Sequence, residues 1–280
     1  VVRNYTDKPD VVHEYLQFLH DLFKSEESKS FLALAYITGI LPIKKIENES
    51  ALNNFDEYTM LNSGNLSQYY GFTEEEVKKL CQKYNMEFDS IKAWYNGYFI
   101  NELHMYNPNS VVSAMLRRQM ASYWKNTSSF KTINRLIQLN YAGLKDDILD
   151  ILAGGKVRVK TASFSNDLHD ITSKDNAITA LIHLGYLGFD AERSQAYLPN
   201  YEVATAYESA LETGSWQEVA RSIGLAEDLL WATIDKEAAK VAEFIEIAHE
   251  SYASVFKYND ENSLSCVLTM AYFTAPAYYN

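Results

Sequence analysis

Few residues of this chain could do chemistry, and their spacing decides what that chemistry would be. Glu76 and Lys78 reproduce the Glu-x-Lys half of a metal-dependent nuclease centre, where carboxylates hold Mg²⁺ and a lysine meets the attacking water. Such a centre needs neighbouring strands. Thr73, Glu74, Glu75 and Glu76 instead form a capping box that opens a helix running through Tyr84. On a helix, residues two apart diverge, so Glu76 and Lys78 read as a solvated face. Gly154, Gly155 and Lys156 resemble the end of a phosphate-binding loop. The full pattern would require glycine at Asp150 and Ser or Thr at Val157, so the glycine pair reads as a helix stop.

Histidine and cysteine chemistry is equally sparse. His13, His20, His104, His169, His183 and His249 make no His-x-x-x-His pair, and no Cys-x-x-Cys occurs, so a zinc site is not expected. No Gly-x-Ser-x-Gly elbow is present and no Cys/His pair sits in a nucleophile context. His183, among Leu181, Ile182 and Leu184, reads as a core histidine. Thr38 is the more interesting polar residue. It lies at the carboxyl end of an apolar run from Phe31 to Ile40, where α/β sheets bind ligands, and Lys44 and Lys45 follow within reach of a phosphate. A third constellation is aromatic: Trp94 to Tyr98, Tyr106 before Asn107 and Pro108, and Tyr123 with Trp124. No basic residue interleaves with these rings, so core packing is favoured over a base-stacking platform.

The elements that must position these residues can be read from periodicity. Asp10 precedes a helical spacing from Val11 to Phe23. Residues 31–40 are apolar on both faces and read as a buried parallel strand. A polar irregular stretch covers 46–70. Short helices should end at Tyr95, with Asn96 and Gly97 as a left-handed cap, and begin at Asn107 and Pro108. Helices near 129–139 and 144–153 follow. Lys174 to Leu184 is helical and stops at Gly185. Tyr186–Asp190 and Gln195–Pro199 form a hairpin, then comes a helix from Tyr201 to Leu211. Helix, hairpin, helix is the order of a winged-helix module. From Trp216 the pattern is helical, with breaks near Gly224, Asp235 and Asn259. The fold class expected is mainly α with small β elements.

Composition limits the function classes. With 47% hydrophobic residues, the 280-residue chain can bury a sizeable core. A net charge of -12 opposes nucleic-acid binding unless positive charge is locally concentrated. The basic clusters Lys44/Lys45, Lys78/Lys79, Arg117/Arg118 and Lys156/Arg158/Lys160 are short and read as solvated surface charge. Cys81 and Cys266 lie in apolar helical patterns and read as buried thiols of a reducing, cytoplasmic compartment. No apolar run spans a bilayer and no signal peptide is apparent. The chain opens on Val1 and ends on Asn280 directly after a helical pattern, as expected of a piece of a longer protein.

In order, Ala35 to Lys45 (AYITGILPIKK), Gly71 to Val77 (GFTEEEV), Trp94 to Tyr98 (WYNGY), Tyr106 to Val111 (YNPNSV), Tyr123 to Lys125 (YWK), Leu181 to Leu187 (LIHLGYL) and Tyr258 to Leu264 (YNDENSL) resemble a bacterial AAA-ATPase-like family whose members carry a C-terminal PD-(D/E)XK nuclease-like domain. The resemblance runs through nearly the whole chain. It implies that residues 1–69 are the end of an ATPase core, 70–141 a helical lid, 142–214 a winged-helix-like linker, and 215–280 a helical lead-in to the nuclease-like domain. Thr38 would take a sensor position beside the nucleotide, and Glu261 would match an acidic position before the nuclease core. ATP and Mg²⁺ would be cofactors of the whole protein, with none held by this chain, because the phosphate-binding loop, the Walker-B acid and the nuclease strands would lie outside it. Nucleic acid would be a partner through the nuclease-like domain. The resemblance is compatible with an oligomer and implies no membrane.

Overall fold

Thr73 caps its helix through a complete capping box. Its Oγ1 accepts the Glu76 amide, and Glu76 returns the bond to the Thr73 amide. Asn107 caps the next long helix by accepting the Ser110 amide, with Pro108 in the first turn, as expected. Such local signals set most boundaries in the computed structural model, which describes residues 8–39, 41, 55–124, 130–139, 141–152, 154–168, 170–211 and 226–253.

The helices are α1 (Pro9–Lys24), α2 (Glu74–Tyr84), α3 (Phe88–Tyr95), α4 (Pro108–Arg117), α5 (Phe130–Ile137), α6 (Leu144–Leu152), α7 (Lys174–His183), α8 (Tyr201–Leu211), α9 (Ala226–Ile234) and α10 (Ala238–Ala253). The strands are short: β1 (Phe72–Thr73), β2 (Tyr98–Ile100), β3 (Leu103–Tyr106), β4 (Val157–Arg158), β5 (Gly188–Asp190) and β6 (Gln195–Tyr197). They form two three-stranded antiparallel sheets, ordered β1-β3-β2 and β4-β6-β5. The protein is thus mainly helical with small sheets. Asp10 falls inside the first turn of α1 rather than before it, an acid at the positive end of the helix dipole.

The expected parallel strand is not formed over 31–39, and Ile40 lies outside the described residues. Residues 32–39 pair with no strand among the described residues, and Phe31, Leu34 and Tyr36 are 69%, 86% and 83% exposed. An apolar run becomes a central strand only where neighbours supply hydrogen bonds on both edges. Four strands, β1 to β4, have no counterpart in the sequence expectations. Tyr98–Ile100 and Leu103–Tyr106 close a hairpin through Asn101 and Glu102, both with positive φ as a tight primed turn requires. β4 joins the expected β5–β6 hairpin as a third strand.

Among the described residues two larger clusters form the core, beside a small third one of Tyr98, Ile100 and Met105. Val77, Cys81, Ile91, Tyr95, Tyr106, Val111, Ala114, Met115 and Tyr123 form the smaller of the two, between α2, α3 and α4. The larger core gathers α5, α6, α7, α8 and the second sheet, and takes in Leu229 of α9. Helix α7 lies at its centre: Asn176 through Ile182 are all buried. The helix stop at Gly154 and the break after α9 near Asp235 fall where expected. No helix among the described residues is long and apolar enough to cross a membrane.

Candidate functional site

Where the two larger cores meet, a buried carboxyl, several phenols and two indoles come together. Glu202, in the first turn of α8, is 1% exposed. Its Oε1 accepts the backbone amides of Tyr123 at 2.7 Å and Trp124 at 3.3 Å, from the segment that follows α4. Asn200 caps α8 by accepting the Val203 amide and so fixes the turn that presents Glu202. Burial raises the Glu202 pKa, opposed by the Ser110 hydroxyl beside it and by the two amides. The Ser110 hydroxyl is close enough to act on the carboxyl, yet it makes no hydrogen bond of good geometry. The facing titratable groups are phenols: Tyr95, Tyr98 and Tyr123 each have a raised pKa, first from burial and in part from Glu202.

Two tyrosine hydroxyls bridge the joint beside this carboxyl. Tyr98 of β2 donates to the Gly185 carbonyl at 2.6 Å, and the Phe99 amide of β2 donates to the Tyr197 hydroxyl of β6 at 3.2 Å. Aromatic edges close the rest: Trp94 meets Tyr201 with centroids 4.6 Å apart, and Trp124 meets Tyr186 at 4.9 Å. Gly97 makes the approach feasible. A Cβ there would fall 1.5 Å from the Pro199 carbonyl oxygen, and its φ of +120° is open to glycine. The expected left-handed cap after α3 is therefore this glycine alone, since Asn96 is extended. The Tyr95 hydroxyl bridges the amide and carbonyl of Ala121, holding the Tyr123 segment toward Glu202.

Chemically, this arrangement is a clamp. The Glu202, Tyr98 and Tyr197 bonds cross the joint, the Tyr95–Ala121 and Asn200–Val203 bonds brace its two sides, and the carboxyl oxygen Oε1 is occupied by backbone amides. The aromatic constellation of the sequence belongs here, and its role is packing. Glu202, Tyr186, Tyr197 and Tyr201 were not anticipated. An acid set among Val203, Ala204, Ala206 and Tyr207 was the one available signal that Glu202 points inward.

The other expected site residues do not converge. Thr38 is exposed in the unpaired stretch before α2. Lys44, Lys45 and Glu261 lie outside the described residues. Glu76 serves the cap of α2, while Lys78 pairs with Glu74 at 2.6 Å. His183 is half-buried at the margin of the larger core, where a core position was expected. It stacks on Phe164 at 5.7 Å, and burial lowers its pKa to about 4. Cys81 is buried, with burial raising its pKa; Cys266 lies outside the described residues. No group of three or more His, Cys, Asp or Glu among the described residues is placed to hold a metal ion. Helix α7, the one that would read a DNA groove in a winged helix, presents no free face, because Asn176 to Ile182 fill the larger core.

Comparison with known proteins shows a distant similarity over part of the chain. An "Uncharacterized protein in vnfD 5'region" of Azotobacter chroococcum mcd 1 is 26% identical over 125 residues, 44% of this chain and 24% of that protein. The similarity thus spans about a quarter of the relative's length. No family model matches the chain, and no solved structure matches it significantly.

Proposed function

We propose that this chain is the positioning and regulatory part of an AAA-ATPase-like protein, in which a helical lid over 70–141 and a winged-helix-like linker over 142–214 move as one lever. The observation that carries the reading is the Glu202 clamp. The most buried acid of the described residues spends its acceptor on the Tyr123 and Trp124 amides across the joint. Groups committed in this way transmit position and do not turn over a substrate. The sequence motifs from Ala35 to Leu264 support the family, and the 280 residues hold no Gly-x-x-x-x-Gly-Lys-Ser/Thr loop. ATP and Mg²⁺ then belong to the longer protein, with Thr38 and the Lys44/Lys45 pair near its nucleotide and Glu261 leading toward its nuclease-like domain.

The test compares this chain with the longer protein. The chain alone should neither bind nor hydrolyse ATP. The longer protein should do both, and Gly97→Ala at the joint should uncouple its turnover while leaving nucleotide affinity unchanged. ATP hydrolysis by the chain alone, or turnover indifferent to the joint, refutes the reading. A second reading, a module acting through protein contacts without catalysis, is favoured by the exposure of Phe31, Leu34 and Tyr36. It predicts a longer protein that binds no nucleotide.

A further inference from the structure

The second sheet turns one face inward. Ala196 and Val159 are buried, and Val157 packs against the larger core. The opposite face carries four cations, with Asp190 of β5 as the one acid that register places among them. Register places Val157 opposite Ala196 and Arg158 opposite Gln195, and the Val159 amide extends the ladder to the Ser194 carbonyl. Lys156, Arg158 and Lys160 therefore alternate along one face, with Arg193 across from Lys160 at the tip of the β5–β6 hairpin. Lys160 keeps extended backbone angles, so the alternation holds to the end of the run. All four cations are exposed.

The same face has further recognition chemistry. Lys156 lies over the Tyr197 ring at 5.3 Å, which holds its ammonium at the surface of the sheet. Tyr197 in turn covers Gly188, where a side chain would collide with the ring at 2.4 Å. Gln195 lies between Arg158 of β4 and Asp190 of β5. Two acids lie nearby. Asp190 is engaged in the turn, accepting the Arg193 amide at 3.1 Å, and Glu192 is exposed at the tip. Among the described residues, none of the four cations has a salt bridge, whereas Lys78, Lys174 and Lys240 are each paired with a carboxylate. In a chain of net charge -12, four unneutralised cations on one small face are a local reversal of sign.

We propose that the outer face of the β4-β6-β5 sheet binds the phosphate backbone of nucleic acid through Lys156, Arg158, Lys160 and Arg193. Charges on alternate residues of a strand stand about 6.6 Å apart, a spacing suited to successive phosphates along one strand. Charge complementarity selects a polyanion. The four cations are spread along β4 and the tip of the β5–β6 hairpin instead of gathering about one point, which selects an extended one. Contact is to backbone and carries no base readout, since α7 is buried and cannot enter a groove. The inference stands on the charge pattern and does not depend on the ATPase reading.

The experiment is fluorescence anisotropy of a labelled mixed-sequence DNA duplex with this chain at low salt. The wild type should bind with a steep salt dependence. Contact with four phosphates gives a slope of log affinity against log salt of about -3.6. The variant Lys156→Glu/Arg158→Glu/Lys160→Glu should lose roughly tenfold or more in affinity, with the slope falling to about -1. A charge-matched control, Lys79→Glu/Lys83→Glu/Arg118→Glu, changes exposed cations elsewhere and should keep most of the affinity. Should the triple variant misfold by circular dichroism, Arg158→Ala alone should still lower affinity and slope. Absence of duplex binding at low salt overturns the proposal. So does equal loss in face and control variants, or binding to phosphatidylserine vesicles without binding to DNA.

Discussion

Replacing Glu202 tests whether the buried carboxyl acts as a clamp or as a titrating acid. Glu202→Ala leaves the Tyr123 and Trp124 amides without their acceptor. Each unsatisfied amide costs roughly 1–3 kcal/mol, so the loss should be about 2–6 kcal/mol, less what is regained by no longer burying an ionisable group. Glu202→Gln keeps an oxygen where Oε1 accepts both amides and places an amide nitrogen toward the otherwise unpaired Ser110 hydroxyl. It also removes the charge. Because burial raises the folded pKa, the folded state holds its proton at pH values where the unfolded chain has released it. Stability tied to Glu202 therefore falls as pH rises from the ordinary carboxyl range through the folded pKa, and is level above it. The Gln variant lacks this slope. In urea denaturation across pH, Glu202→Gln should match the wild type in acid and be equal or more stable at neutral pH, while Glu202→Ala is weaker throughout. Hydrogen exchange at the Tyr123 amide should accelerate in the Ala variant alone. A Gln variant as damaged as Ala at neutral pH would refute the clamp, because charge and not acceptor geometry would then hold the joint.

Two other perturbations bear on the same architecture. Gly97→Ala must move the Pro199 backbone and adopt a disfavoured positive φ, which should cost about 2–5 kcal/mol; unchanged urea stability together with unchanged exchange at the Phe99 amide would show that the two sheets do not need this approach. His183 should remain neutral when an NMR titration is taken to about pH 6, where an exposed histidine is largely protonated. Its folded pKa of about 4 lies below the ordinary 6.5, so the stability it confers is complete above 6.5 and is lost as pH falls toward 4, on the order of 3 kcal/mol in all. A His183→Gln variant with the wild-type acid profile would assign that loss to other groups.

Local chemistry made much of the fold legible. The capping box at Thr73, the Asn107–Pro108 start and the hairpin between Gly188 and Tyr197 all depend on groups a few residues apart, and they lie where their spacing placed them. The run from Phe31 to Gly39 failed to form a strand for the opposite reason. A strand is completed by its neighbours, and apolar content alone does not supply them. The hairpin at Asn101 and Glu102 was hidden because its turn lacks the usual glycine, although both residues take positive φ.

The candidate site divides along the same line. By itself, the sequence determined that the rings of Trp94, Tyr95, Tyr98, Tyr123 and Trp124 would pack, and that Glu76 would serve a cap and not a metal. Their immediate neighbours impose those roles. Only the tertiary structure brought Glu202 to amides 79 and 78 residues away, and Tyr98 to a carbonyl 87 residues away. It also turned Lys156, Arg158 and Lys160 to one face and set Arg193 beside them. Burial and cross-strand register are properties of chain closure, so a lone acid in an apolar helix and a short run of cations could not disclose their partners before the chain was folded.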